Sequence, residues 1–285
     1  MIGRTPHEKP RTGARARADI PPEVLDQLYR GQIQTATLSE TLAIDFARLI
    51  RETLPRCDAS LSRTMLAQGG LGIVQRMELG GVLLLDGGNP YPLEELLSHS
   101  SDLIRGWCAY ALAMRAEPKG VVHACEQLKP LAADPHFGVR EWAWMAVRQQ
   151  VMDQLPEALD HLARWTTHGD PGIRRFASEV TRPRGVWCPM IRALTETPEA
   201  GLGILEPLRS DPAEYVRLSV ANWINDASKT RPDWAREITT RWLHESPTRE
   251  TELIVKRALR TLTKKDSKTV ETIPKSPAKP RKNPS

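Results

Sequence analysis

The stretch 173–187 reads Ile-Arg-Arg-Phe-Ala-Ser-Glu-Val-Thr-Arg-Pro-Arg-Gly-Val-Trp and combines an acid, several arginines and an indole. Its only carboxylate is Glu179, followed by Arg182, Arg184 and Trp187. A carboxylate near a helix C-terminus is disfavoured by the helix dipole unless a cation compensates it. Two interpretations stay open: a Glu–Arg pair that fixes a turn, or a carboxylate held beside arginines and facing a ligand. Such side chains suit a cationic, aromatic, phosphate-bearing ligand.

A second polar set lies in the stretch 215–226. Asn222, Asn225 and Asp226 stand at i, i+3 and i+4, so they share one face of a helix. Because Asn and Asp are weak helix formers, three of them together indicate a polar lining or a specific hydrogen-bond network. Capping and fraying towards Ser228 is the equally weighted alternative.

A third set, Arg140-Glu141-Trp142-Ala143-Trp144, places an acid between a base and two indoles. Glu141 is a candidate catalytic acid, and Arg140 and Trp144 are candidate cleft residues. The alternative is that one tryptophan belongs to the core, the other packs between repeats, and Glu141 pairs with an arginine.

A fourth set lies near the end of the helical region. Lys256, Arg257 and Arg260 could contact phosphates. A solvated helix face is the alternative interpretation.

These sets recur in register. An apolar residue followed by a base appears at a spacing of 35, 34, 43 and 39 residues, and in three cases an Asp-Pro pair stands shortly before it. The bases are Arg105, Arg140, Arg174, Arg217 and Lys256. Asp caps a helix and Pro fits its first turn, and two helices per period of ~40 residues are typical of armadillo and HEAT arrays. We therefore predict an all-α solenoid of HEAT-like repeats over residues 20–265 with a concave cleft.

Composition restricts the class of protein. Residues 1–20 carry five Lys or Arg and two acids, residues 263–285 carry seven and two, and the stretch between them carries 28 and 31. The net charge of +5 therefore belongs to two tails, residues 1–19 and 266–285, which we expect to be disordered. Cysteine and histidine spacing predicts no metal site, and no membrane span or secretory signal is expected. We expect a cytoplasmic protein. We also expect its eight tryptophans to line clefts, because the N–H of a fully buried indole needs a hydrogen-bond partner.

Three blocks resemble a known family. Residues 177–187, 211–229 and 254–265 are similar, in order, to segments of the bacterial AlkC-like DNA alkylation repair proteins, a HEAT-like family related to AlkD. The resemblance covers the C-terminal third of the chain. Two features depart from the family pattern: the Trp-Ala-Trp context beside Glu141, and Arg257 where many members have His.

The resemblance implies a monofunctional DNA glycosylase that removes cationic N-alkylated bases, such as 3-methyladenine, from double-stranded DNA without a cofactor. It implies that Glu179, Asp226 and Glu141 are the catalytic acids. We expect a monomer with no membrane or metal partner. The alternative is a non-catalytic HEAT-repeat protein that binds DNA structures or protein partners. The predicted DNA contacts are Arg140, Trp144, Arg182, Arg184, Trp187, Asn222, Lys256, Arg257 and Arg260.

Overall fold

A computed structural model describes residues 11–264 of the chain. These residues form helices and turns without a strand. The helices of the first half are α1 (Pro22–Tyr29), α2 (Leu38–Ala43), α3 (Phe46–Thr53), α4 (Ala59–Ala67), α5 (Ile73–Leu84), α6 (Leu93–Leu96), α7 (Asp102–Ala116) and α8 (Val121–Ala132). The remaining helices are α9 (Phe137–Asp153), α10 (Leu155–Ala163), α11 (Pro171–Val180), α12 (Arg192–Glu196), α13 (Leu202–Leu205), α14 (Glu214–Ala227), α15 (Pro232–Glu245) and α16 (Arg249–Ala258).

One row of helices runs through the molecule. α5, α7, α9, α11, α14 and α16 each pack on the next member of the row, and α8, α10 and α15 pack beside it as the second helix of their repeats. Contacts therefore link neighbouring repeats, as in a HEAT-like solenoid. The long spacing of 43 residues between two of the repeated bases is explained by the short helices α12 and α13, which stand where other repeats have one longer helix.

The repeated arginines form a ladder along this row. Each guanidinium of Arg105, Arg140, Arg174 and Arg217 donates to the two carbonyl oxygens five and six residues before it, at 2.6–3.3 Å. These bonds tie the helix to the turn that precedes it. The repeating base found in the sequence is therefore primarily a structural element of each turn.

Two members of the ladder also reach the next repeat. Arg105 binds both oxygens of Asp134 at 2.8 and 3.1 Å, and Arg174 binds both oxygens of Asp211 at 2.7 and 2.9 Å. Both aspartates are buried. A bidentate arginine–carboxylate pair fixes orientation as well as distance, so these pairs set the register between repeats.

The region 59–97 is helical, in agreement with the predicted all-α solenoid, and two of its glycines have a packing role. Gly80 and Gly81 lie inside α5 instead of separating short pieces. A Cβ atom at either position would lie 2.5 Å from Trp107 or Tyr110 of α7. Gly80 and Gly81 therefore allow two inner helices to approach closely, which explains glycine where helix propensity disfavours it.

The predicted N-terminal disorder differs from the structure in its described part. Arg11 donates to both oxygens of the fully buried Glu40 at 2.6 Å, and the backbone N–H of Ala14 adds a third bond at 3.1 Å. Residues 11–19 are therefore attached to the first repeat. The rest of that predicted arm, residues 1–10, and the predicted tail, residues 266–285, lie outside the described residues.

Seven of the eight tryptophans are buried, against the expectation that they line clefts. Most direct their ring N–H to a polar partner, as Trp223 does to Thr181 at 3.4 Å and Trp242 to Glu206 at 2.9 Å. Burial with a hydrogen bond resolves the polar cost of an indole. Trp187 is the exception, with 49% of its surface exposed.

No helix within residues 11–264 has the length and apolar composition needed to cross a bilayer.

Candidate functional site

Glu179 lies at the C-terminal end of α11 and is almost completely buried. Its Oε1 accepts a hydrogen bond from Arg182 Nη1 at 2.6 Å, and its Oε2 accepts one from the Ser219 hydroxyl at 2.7 Å. Arg175, one turn earlier on α11, places Nη2 3.4 Å from the same Oε2. The dipole penalty expected for an acid at this position is thus offset by two guanidinium groups.

Asp226, near the end of α14, is joined to Glu179 through Arg182. The Arg182 Nε and Nη2 atoms donate to Asp226 Oδ2 at 3.0 and 2.8 Å, while its Nη1 serves Glu179. The second oxygen of Asp226, Oδ1, accepts from Lys229 Nζ at 3.0 Å. One arginine therefore holds carboxylates from two consecutive inner helices in a fixed relation.

Glu141 on α9 joins the same network from the other side. Arg175 Nη1 lies 2.8 Å from Glu141 Oε1, and the Tyr215 hydroxyl donates to that oxygen at 3.2 Å. Arg175 also lies over the Tyr215 ring, 4.2 Å from its centroid. The three acids singled out in the sequence thus form one alternating series, which we call the acid–base network: Glu141, Arg175, Glu179, Arg182, Asp226 and Lys229.

Glu179 and its two arginine partners hold one another in their charged forms. Burial by itself raises the pKa of the Glu179 carboxyl, but Arg175, Arg182 and the Ser219 hydroxyl outweigh it and leave that pKa below its usual value. Burial likewise lowers the pKa of Arg175 and of Arg182, yet their carboxylate partners outweigh it and leave both above the usual value. Glu179 is therefore an ionised carboxylate at neutral pH.

A rigid loop follows Arg182. The buried Arg148 of α9 donates to the carbonyls of Val180 and Arg182, both at 2.7 Å, and to that of Pro189 at 3.1 Å. Three carbonyls held by one guanidinium fix the loop over residues 181–191. A Cβ at Gly185 would collide with Cys188 Sγ, so the loop also requires glycine there.

The same loop presents two of the predicted contact residues. Trp187 is exposed and has a φ of 60°, a conformation that is rare for a bulky residue. The buried Arg184 Nε has no hydrogen-bond partner in the described part of the chain. Both residues lie on the loop that follows Arg182, a member of the acid–base network.

A cationic surface on α16 and the turn after it borders Asp226. Lys256, Arg257 and Arg260 are exposed, and Asn222 of α14 accepts bonds from Arg257 Nε at 3.4 Å and Arg260 Nη2 at 3.1 Å. Burial and Arg257 lower the pKa of Arg260 against the opposing effect of Asp226. The surface and the network therefore lie within electrostatic reach of each other.

Three of the predicted DNA contacts have other partners in the structure. Trp144 is buried and donates to Glu141 at 2.9 Å, so it holds that acid in position. Arg140 belongs to the ladder and donates to the Tyr215 hydroxyl at 3.2 Å. Arg182 is occupied by two carboxylates. The prediction of a direct DNA contact for Trp144 is therefore corrected, and Arg140 and Arg182 hold other side chains in place.

Arg175 belongs to the cluster of arginines around Glu179 in the sequence, whereas other members of the site are not marked there. Arg175 stands four residues before Glu179, a spacing that would have predicted the pair. Tyr215, Ser219 and Arg148 come from other repeats or from buried positions, and no local pattern marks them. Asn225, grouped with Asp226 in the sequence, instead bonds to Ala258 O at 2.9 Å and Thr261 Oγ1 at 3.0 Å and anchors α14 to the end of α16.

Comparison with known proteins agrees with this architecture. Residues 90–181 match the model of HEAT repeats, and residues 139–262 match that of DNA alkylation repair enzymes. The uncharacterized protein YhaZ of Bacillus subtilis (strain 168) is 38% identical over 152 residues, which are 53% of this chain and 41% of that protein. The chain thus spans less than half the length of this relative.

Solved structures share the fold. The alkylpurine DNA glycosylase AlkC of Pseudomonas fluorescens, bound to DNA containing an abasic site analog, aligns with a TM-score of 0.62 at 24% identity over 84% of this chain and 65% of that one. AlkD2 from Streptococcus mutans aligns with a TM-score of 0.52 at 17% identity over 75% and 96% of the two chains. The protein smu.31 from Streptococcus mutans UA159 gives 0.53 at 19% over 70% and 96%. Residues 139–262 thus match the DNA alkylation repair model, and the chain shares its HEAT-like fold with AlkC and AlkD2.

Proposed function

We propose that this chain is a monofunctional DNA glycosylase that hydrolyses the N-glycosidic bond of cationic N-alkylated bases, such as 3-methyladenine, in double-stranded DNA. The carrying observation is the acid–base network. Glu179 and Asp226 meet through Arg182, and Glu141 joins them through Arg175. Similarity to a structure described as an alkylpurine DNA glycosylase supports the same reaction class.

The chemistry needs few groups. A base with a cationic ring leaves as a neutral molecule, so it needs no general acid. The sugar becomes oxocarbenium-like, and an oriented carboxylate stabilises that charge and can position the attacking water. Glu179 is ionised and Asp226 is held by oriented donors, which makes both suitable electrostatic groups. No lysine nucleophile and no cofactor takes part in this mechanism.

DNA binding follows from the surface around the network. Phosphates contact Lys256, Arg257 and Arg260, and the Arg184 guanidinium supplies a further cation. The exposed Trp187 indole packs against the sugar or the cationic base. In this arrangement the cations hold the duplex by its phosphates, and the uncharged indole contacts the damaged nucleotide beside the network.

The test is release of alkylated bases from methylated duplex DNA. Wild type should release 3-methyladenine, and Glu179→Gln and Asp226→Asn should each slow single-turnover release about 100-fold, because each removes one oriented charge at the reacting sugar. Glu199→Gln, which removes a carboxylate from an exposed ion pair with Arg231, is the matched control and should keep wild-type rates. If both site variants released base at the wild-type rate, Glu179 and Asp226 would not be the catalytic residues. If the wild type released no base, the proposed glycosylase activity would be wrong.

One observation favours a second function, binding without catalysis. Every carboxylate of the network has a cationic partner, as expected if the acids only fix the loop over residues 181–191. A non-catalytic HEAT-repeat protein would then bind DNA structures or a protein partner with the same surface. Salt-dependent binding to branched and undamaged DNA, without base release, would support this alternative.

A further inference from the structure

The acid–base network is electrically balanced. Its carboxylates, Glu141, Glu179 and Asp226, alternate with the cations Arg175, Arg182 and Lys229. A carboxylate beside its own counter-ion attracts a cationic sugar much less than a free one, because the two fields largely cancel. The glycosylase reaction proposed above therefore requires one counter-ion to leave when DNA binds.

The two arginines are poor candidates for departure. Arg175 and Arg182 each bind two carboxylates, and only 11% of either side chain is exposed. Moving either one would break its contacts with two carboxylates at once and take a buried guanidinium out of its ion network, which is costly. Both arginines therefore stay in place during binding.

Lys229 differs from both arginines in position, exposure and bonding. It lies just beyond the end of α14, 41% of its side chain is exposed, and its Nζ lies 3.0 Å from Asp226 Oδ1. Asp226 is buried, with 5% of its side chain exposed, but Lys229 is the exposed partner of the pair and can leave into solvent without moving buried groups. When Lys229 leaves, Asp226 Oδ2 still accepts two bonds from Arg182, so the carboxylate keeps its position while Oδ1 becomes free.

We infer that Lys229 is a displaceable counter-ion, a positioning residue whose ammonium moves from Asp226 Oδ1 to a DNA phosphate and so directs the freed oxygen at the cationic sugar. A phosphodiester is a fitting acceptor because lysine is a compact, hydrated point charge that exchanges partners readily. The cationic surface of Lys256, Arg257 and Arg260 brings the DNA backbone to this end of the network. The catalytic part of this inference, in which Asp226 Oδ1 faces the sugar, rests on the proposed function. The movement of Lys229 to a phosphate requires only that the chain binds DNA.

Two measurements on the full chain test it. The first is the affinity for undamaged duplex DNA between ~50 and ~200 mM salt. When Lys229 binds a phosphate, it releases a salt cation that was condensed on the DNA. Lys229→Met should therefore reduce the steepness of log K against log salt by about one. Lys129→Met is the matched control, since Lys129 also pairs with a carboxylate at i,i+3 spacing but on α8, and it should keep the wild-type slope.

The second measurement is the single-turnover rate of base release at saturating methylated DNA. Lys229→Met should release base about threefold faster than wild type, because no ion pair has to break. Lys229→Arg should release it more slowly, since a planar guanidinium can hold Asp226 through two bonds and leaves less readily. Thermal unfolding of each variant establishes that it is folded.

The outcomes separate this inference from the proposed function. An unchanged salt slope for Lys229→Met overturns the displacement, whether or not the wild type is active. A slower rate for Lys229→Met overturns the counter-ion role and makes the lysine a supporting group of the chemistry. If wild type releases no base, the proposed glycosylase fails, while the salt slope still decides whether Lys229 moves to phosphate.

Discussion

The Glu179 carboxyl is where burial and pairing oppose each other most strongly. Its folded-state pKa lies below the value of about 4.3 for an unfolded chain, because Arg175 and Arg182 outweigh burial. A depressed carboxyl pKa contributes stability above the unfolded value, and that contribution is lost as the pH falls through the folded value. We predict that the free energy of unfolding decreases from about pH 5 towards about pH 3, and that Glu179→Gln flattens this decrease.

Urea denaturation at about pH 6, 4 and 3 measures this effect. The exposed Glu199→Gln should follow wild type at every pH. A Glu179→Gln variant with the full wild-type pH dependence would show that other carboxyls, such as the buried Glu40 held by Arg11, account for acid sensitivity.

Residue types predicted the acids better than their counter-ions. Glu179 and Asp226 were recognisable because a buried carboxylate at a helix end and an Asn/Asp face are unusual for a plain core. Arg182 was predicted to contact DNA, yet it bridges both acids. The choice between phosphate and carboxylate depends on which side chain the adjacent helix brings within hydrogen-bonding distance, and spacing within one helix cannot provide that information.

The turn ladder makes a prediction at the scale of elements. Arg174→Met should destabilise the fold by about 3–5 kcal/mol, because it leaves the buried Asp211 without its cation. Arg217 is the matched control: it bonds to the equivalent two turn carbonyls, but the structure gives it no carboxylate within residues 11–264. Arg217→Met should cost only about 1 kcal/mol, because it removes the carbonyl bonds alone.

Guanidinium chloride unfolding of both variants gives this comparison. Adding Asp211→Asn to Arg174→Met should recover part of the stability, since a neutral amide is less costly to bury unpaired than an ion. Equal destabilisation by Arg174→Met and Arg217→Met would show that the carbonyl bonds, common to every turn, contribute all of the stability.

The period of the ladder could be recognised in the sequence because the same residues form the turn in each repeat. The inner helices α7, α9, α11, α14 and α16 were therefore predicted from bases and Asp-Pro pairs. The sequence alone does not explain Gly80 and Gly81 inside α5, because their role depends on the rings of α7, which need the space. Which repeats pair an arginine with an aspartate could not be predicted, since it depends on the stacking of consecutive turns.

Charge at the scale of the whole molecule is unevenly placed. The net charge of +5 arises largely from the tails, so DNA binding by the folded part must rely on local surfaces. The cationic surface of α16 is the region that adjoins the acid–base network, while the exposed Arg30, Arg51 and Arg63 belong to the first helices of the chain. Each group carries three positive charges. Removing one group or the other therefore distinguishes the effect of the local surface from that of the overall charge.

Replacing Lys256, Arg257 and Arg260 together by Gln should weaken binding to duplex DNA and reduce the steepness of log K against log salt by about three, since each phosphate that loses its cation accounts for about 0.9. The matched triple variant, with Gln at Arg30, Arg51 and Arg63, removes the same charge and should keep most of the wild-type slope. Fluorescence anisotropy across a salt series measures both. Equal weakening in the two variants would mean that net charge, and not the surface beside Asp226, attracts DNA, and the duplex would then have no reason to lie across the network.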